Sequence, residues 1–104
     1  MAEHNQKPKK ILNLHGHVVR VFVSDKPEKK YYALVDESKT RQYFGATSFD
    51  QYKDLVGVYK HKNHGDKKRR DAYYSRHAAD SKYDPKKGIT PGVLSAELLW
   101  PRRD

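Results

Sequence analysis

The sequence is 104 residues long, which suffices for one domain with a small core and is too short for two. It contains 22 Lys and Arg residues against 13 Asp and Glu residues, so the formal net charge is +9. A charge of this sign favours nucleic acid or an acidic protein surface as the partner. Cysteine is absent, which excludes disulfide bonds, thiolate metal sites and cysteine nucleophiles.

The same composition argues against a membrane protein. No apolar run reaches the length needed to span a bilayer, and the first ten residues contain no apolar signal core. We therefore expect a soluble, intracellular protein without a membrane partner.

The first half of the chain predicts an antiparallel β-meander. Residues 1–10 are polar and basic, and we expect a flexible arm there, followed by a single domain over residues 11–104. Runs rich in β-branched and aromatic residues, separated by turn residues, predict strands over 11–14, 17–23, 30–35 and 40–44. The connections are too short for crossover helices, so neighbouring strands should run antiparallel.

The second half predicts helices. Ser48 suits the N-cap of a helix over 48–59, because Phe49, Tyr52, Val56 and Tyr59 recur at helical spacing, although Gly57 weakens it. A second helix should run from Asp66 to about Ala79, and a third should follow Thr90 and Pro91. The predicted class is α+β: a small antiparallel meander of three to four strands followed by two to three helices. Trp100, the only tryptophan, is expected to plug the sheet face.

Positive charge and aromatic rings are concentrated in the stretch KHKNHGDKKRRDAYYSRH, residues 60–77. On a helix that begins after Asp66, guanidinium groups and rings three or four residues apart lie on neighbouring rows. Such a surface can grip phosphates and stack planar groups, or it can dock onto an acidic protein surface. The simpler alternative is a solvated helix with half-buried tyrosines. We call the following residues the candidate binding face: Lys67, Lys68, Arg69, Arg70, Tyr73, Tyr74, Arg76 and His77.

Several segments occur in an order that resembles a known group of proteins: KKYY at 29–32, YFG at 43–45, HGD at 64–66, AYYSRH at 72–77, and TPGVLS through LLW at 90–100. Together they resemble a family of small, basic proteins encoded by large DNA viruses of algae and protists. Three departures stand out: extra length between Tyr52 and His64, Tyr83 in place of a tryptophan, and Ala96 in place of an arginine. The resemblance implies a virion component or a viral factory protein and transfers no catalytic residue.

An enzymatic function is also considered, because two segments resemble endonuclease motifs. The tripeptides at 31–33 and 43–45 resemble the paired motifs of GIY-YIG endonucleases, which use tyrosines, an arginine and a metal-binding glutamate. In this chain the first tripeptide lacks its glycine, Lys53 stands where the arginine is expected, and Glu97 is the only late glutamate. Because a metal-dependent phosphodiesterase needs a placed carboxylate, we expect no enzyme and no catalytic residue.

Histidines are the next candidate metal ligands. His15 and His17 alternate on one predicted strand, and His61 and His64 are three residues apart. Neither pair has the cysteines of a zinc finger, so we expect exposed or hydrogen-bonded imidazoles, with no metal and no cofactor. His77, near the end of the predicted basic helix, should add to its positive charge.

Two binding functions fit these features. The first is a non-enzymatic structural or assembly protein, a minor component of the virion that docks through the candidate binding face onto acidic surfaces of viral coat or other virion proteins. The second is binding of DNA or RNA without sequence preference, with the cations on phosphates and the tyrosines stacked on bases. For either function we expect the protein in the virion, and in the host-cell cytoplasm or nucleus during assembly.

Overall fold

A computed structural model describes residues 7–102 and shows a four-stranded antiparallel sheet followed by helices. The strands lie in the order in which they occur in the chain and each pairs with the next, so the predicted α+β meander is confirmed. Their bounds are β1 Lys10–Leu14, β2 His17–Val23, β3 Lys29–Val35 and β4 Gln42–Ala46.

The sheet begins at Lys10, inside the predicted arm, because the first strand forms a hairpin with the second. His15 and Gly16 have φ angles of 52° and 86°, the two left-handed residues of the tight turn that best matches the twist of paired strands. The strand before this turn begins at Lys10, and the amide of Lys9 donates to Val21 O at 2.7 Å. Lys10 therefore belongs to the sheet and Lys9 is hydrogen-bonded to it, while residues 1–6 of the predicted arm lie outside the described residues.

The helix predicted over 48–59 is wrong. This stretch is irregular and ends in a short 3-10 turn at Lys60–Lys62. Gly57 has a φ of 114°, which an α-helix cannot accommodate. Phe49, assigned to the apolar side of that helix, is 69% exposed, whereas polar Gln51 is almost completely buried. The helical spacing of apolar residues in this stretch therefore does not reflect a helix.

Asp54 organises this irregular segment instead. Its carboxylate accepts hydrogen bonds from the amides of Val56 and Tyr59, both at 2.8 Å, and from the hydroxyl of Tyr31 at 2.6 Å. A buried carboxylate that satisfies nearby amides competes with the helical hydrogen bonds those amides would otherwise make. The local side-chain contacts thus replace a helix with a folded loop.

Two α-helices follow, α1 at Lys67–His77 and α2 at Pro91–Leu99, with 3-10 turns at Ser81–Tyr83 and Pro85–Lys87 between them. Both predicted helix starts are confirmed. The Asp66 carboxylate caps α1, and the Thr90 hydroxyl accepts from the amide of Val93 at the start of α2. Within residues 7–102, neither helix has the length and apolar character needed to cross a bilayer.

The core lies between one sheet face and α2. Val19, Val21, Tyr31, Ala33 and Phe44 from the strands contact a cluster that α2 supplies through Val93, Leu94, Leu98 and Leu99. Gly45 allows this approach, because a Cβ at that position would lie 2.7 Å from Leu99 Cδ1. The close packing places the end of α2 against β4, and with it the attachment point of α1.

Trp100, directly after α2, has a second role besides the predicted one. It is partly buried against the core cluster that the sheet and α2 form, and its ring also stacks on Tyr73 of α1, with centroids 4.4 Å apart and an angle of 7° between the planes. It therefore joins the two helices as well as packing on the core.

Candidate functional site

The start of α1 is fixed by two successive side-chain contacts. His64 Nδ1 accepts from the amide of Asp66 at 2.9 Å, and the Asp66 carboxylate accepts from the amides of Lys68 and Arg69 at 2.9 and 3.3 Å. Burial, and then the charge of Arg69, lower the pKa of His64, which favours the neutral ring that this acceptor role requires. The first cations of the candidate binding face are thus carried by a helix with a well-defined origin.

The tyrosines of the candidate binding face point inward. Tyr73 is only 7% exposed, and burial raises its pKa above the ordinary range. The Tyr74 hydroxyl lies 3.0 Å from Ala96 O and 2.6 Å from Trp100 O, so its single hydrogen is shared between two carbonyls at the end of α2. The expectation that rings and cations share one exposed surface is corrected here, because these rings attach α1 to α2.

Arg70 and His77 also serve this attachment. Arg70 Nη1 donates to the carbonyls of Pro101 and Arg102 at 3.2 and 3.1 Å, and its guanidinium lies 4.5 Å from the centroid of the Tyr52 ring. His77 stacks on Tyr83, with ring centroids 4.0 Å apart. Four of the eight predicted site residues therefore hold the helix in place.

The other four residues of the candidate binding face are exposed: Lys67, Lys68, Arg69 and Arg76. Among the residues that the structure describes, Arg69 and Arg76 form no ion pair within the chain. By contrast, Arg41 is paired with Asp25 at 3.2 Å. Arg69 and Arg76 thus expose guanidinium groups that have no ion pair among residues 7–102.

A groove runs beside these two arginines. Its volume is about 440 Å³, and we call it the arginine groove, lined chiefly by Phe49, Arg69, Ala72, Arg76 and Trp100. Phe49 was missed as a site residue, because its place in an apparent helical repeat assigned it to the core. The signal that could have identified it is Gly57, which makes a helix through this stretch unfavourable and so removes the reason to bury Phe49.

The histidines lie in separate environments. His15 Nε2 contacts Glu97 at 2.8 Å, and His17 Nδ1 contacts Asp36 at 2.7 Å, so each imidazole has its own carboxylate. His64 Nε2 is buried without a hydrogen-bond partner. Over residues 7–102, no group of three or more His, Cys, Asp or Glu side chains is arranged to hold a metal ion.

The residues of the endonuclease-like tripeptides occupy paired positions on β3 and β4, where Tyr31 faces Phe44 and Tyr32 faces Tyr43. Tyr31 is fully buried and its hydroxyl donates to Asp54, while the Tyr43 hydroxyl donates to Asp25 at 2.7 Å. These hydroxyls are therefore engaged in internal hydrogen bonds.

Fold and site together define a small α+β protein with a cationic groove beside a firmly attached helix. Comparisons with known protein families, with curated proteins and with solved structures found no match to this chain.

Proposed function

We propose that the protein is a non-enzymatic docking component of a virus particle, which binds acidic surfaces of coat or other virion proteins through the exposed cations of α1. The observation that carries this proposal is the division of the candidate binding face. Arg70, Tyr73, Tyr74 and His77 hold the helix, and Arg69 and Arg76 are left outward with no ion pair among residues 7–102. The viral setting rests on the resemblance of residues 29 to 101.

A rigid helix is suited to docking because its side chains are presented with little loss of backbone entropy on binding. Arginine and aromatic residues are enriched at the centres of protein interfaces, and exposed Phe49 beside Arg69 and Arg76 supplies both. Guanidinium groups also pair with carboxylates through two parallel hydrogen bonds, which adds directional specificity to the charge.

Binding of DNA or RNA remains the alternative function. Its phosphate contacts are available through the same cations, since the net charge is +9. Stacking of bases on Tyr73 is not supported, because that ring is buried against Trp100. The geometry therefore favours the protein partner over the nucleic acid.

Incorporation into particles tests the proposal. In cells infected with the virus that encodes this chain, the wild-type protein should co-purify with nuclease-treated particles and leave only when the shell is disrupted. Arg69→Glu with Arg76→Glu should reduce incorporation at least tenfold, because both outward guanidinium groups would then repel an acidic surface. A matched control is Lys86→Glu with Lys87→Glu, which makes the same charge change at exposed positions outside α1.

The control should be incorporated normally. Absence of the wild-type protein from particles, or its release by nuclease alone, would contradict the proposal. Circular dichroism and thermal unfolding of each variant establish that its fold is intact.

A further inference from the structure

The arginine groove has two unlike walls. One is formed by α1, where Arg69, Ala72 and Arg76 are three and four residues apart and so lie on one side of the helix. The other is formed by Ser48, Phe49 and Asp50 in the loop after β4, and Trp100 also lines the groove. Because alanine carries only a methyl group, the space between the two arginines stays open.

Phe49 is held outward by its backbone. Its amide donates to Ala46 O at 3.2 Å, and its carbonyl accepts from the ammonium of buried Lys30 at 2.7 Å. This side chain is the most exposed of the large apolar residues that the structure describes. An exposed ring on an anchored loop is preorganised for contact, so ordering it on binding costs little entropy.

The two arginines set a length for the partner. They are seven positions apart on the helix, which corresponds to a rise of about 10.5 Å. In an extended peptide, side chains four positions apart project from the same face about 13 Å apart, a distance that the long arginine side chains can span. Two carboxylates at this separation match the groove, with space between them for one apolar side chain to contact Phe49.

Ser48 and Asp50 also line the groove. Their oxygens can accept hydrogen bonds from the backbone amides of a bound peptide. The Asp50 carboxylate repels phosphates and carboxylates alike, so the choice of a peptide rests on exposed Phe49 beside the two arginines and not on Asp50.

We propose that the arginine groove binds an extended acidic peptide segment of a partner protein, in which two Asp or Glu residues four positions apart flank an apolar residue midway between them. Arg69 and Arg76 each pair with one carboxylate, and the apolar side chain packs between Phe49 and Ala72. The inference rests on the proposed docking function and specifies the partner of that site.

An unbiased peptide selection tests it. A phage-displayed library of random 12-residue peptides is selected on the immobilised full-length protein, with counter-selection on a variant carrying Phe49→Ala, Arg69→Ala and Arg76→Ala. We expect enrichment of peptides with the acidic, apolar, acidic pattern. A synthetic peptide from the enriched pool should bind the wild type at least tenfold more tightly than each single variant, measured by fluorescence anisotropy at 150 mM salt.

Two control variants test whether a loss of affinity is specific to the groove residues. Val58→Ala removes an exposed apolar side chain outside the groove, and Lys86→Ala removes an exposed cation, so neither should change peptide affinity. A single-stranded oligothymidylate serves as the nucleic-acid probe. Tighter binding of that probe than of any selected peptide, with the same dependence on Phe49 and Arg69, would overturn the assignment in favour of nucleic acid.

Failure of this inference is distinct from failure of the docking function. If no acidic pattern is enriched, or if selected peptides bind the triple variant equally well, the peptide assignment is wrong. Loss of particle incorporation in Arg69→Glu with Arg76→Glu would still support docking in that case. If the selected peptides bind the groove but the variant Arg69→Glu with Arg76→Glu enters particles normally, the groove binds acidic peptides and is not the virion contact.

Discussion

Lys30 is the least expected residue of the molecule, a lysine whose side chain is 1% exposed. Its ammonium donates to Phe49 O at 2.7 Å and to Gln51 Oε1 at 2.6 Å. Burial, and then the charge of nearby Lys62, lower its pKa to about 8 from the usual 10.5. The same contact that positions Phe49 therefore carries an electrostatic cost at neutral pH.

This cost predicts an unusual dependence of stability on pH. Between pH 8 and 10.5 the unfolded chain binds more protons at this lysine than the folded chain does, so the free energy of unfolding rises with pH in that window. Burial also raises the pKa of Tyr31, which acts in the opposite direction, so stability should fall again above about pH 10.

Urea unfolding at pH 7.5, 8.5 and 9.5 measures the rise. Lys30→Met should abolish it whatever its effect on stability at pH 7.5, while Lys86→Met, at an exposed position, should retain it. An unfolding free energy that stays flat in the wild type from pH 8 to 9.5 would show that the lysine is not desolvated in solution.

At the level of single residues, the sequence predicts the arginines of the candidate site but not Phe49. Arg69 and Arg76 could be predicted because a capped helix with a high density of cations must expose some of them. The inward direction of Tyr73 could not be predicted, since it depends on Trp100, which is 27 positions away and is brought close only by the packing of α2.

Among the elements, the loop at 48–59 depends on one side chain. Asp54 accepts hydrogen bonds from two amides and from the Tyr31 hydroxyl, and it is 2% exposed. In Asp54→Asn the side-chain NH2 group would replace one of the two accepting oxygens. It would then face a buried hydrogen-bond donor, and neither group would have an acceptor. We expect a loss of about 2 to 3 kcal/mol in the free energy of unfolding.

The loss should be accompanied by faster hydrogen exchange at the amides of Val56 and Tyr59, measured by NMR spectroscopy. Asp71→Asn is the matched control, since Asp71 is exposed on α1, and it should change stability by less than about 0.5 kcal/mol. Unchanged exchange at both amides in Asp54→Asn would mean that the loop is held by other contacts.

The same loop shows where local patterns stop predicting structure. The strands and both capped helices follow from signals a few residues long, namely turn residues between β-rich runs, Asp66 before α1 and Thr90 before α2. The segment at 48–59 had equally good helical spacing, but its conformation is decided by a buried carboxylate in contact with a strand residue 23 positions earlier. Interactions of that range are not visible in a local period.

For the molecule as a whole, the central question is whether its net charge or its local groove selects the partner. Binding to a nucleic-acid backbone without sequence preference depends on how many phosphates are neutralised, and it weakens as salt rises. Docking of an acidic peptide depends on two guanidinium groups at a fixed separation beside Phe49. The two modes therefore respond differently when the same amount of charge is removed from different places.

Two double variants make this comparison: Arg69→Glu with Arg76→Glu, and Lys86→Glu with Lys87→Glu. Each of them lowers the net charge of +9 by four. Affinity for a 30-base-pair duplex DNA, measured by anisotropy at 50 mM salt, should fall by similar factors in the two variants because the total charge is the same. Affinity for an acidic peptide selected on the wild type should fall only in the variant of 69 and 76. If duplex DNA also distinguishes the two variants, with the affinity loss confined to Arg69→Glu and Arg76→Glu, then phosphate has a defined place on α1. The groove would in that case belong to a nucleic-acid interface rather than to a protein contact.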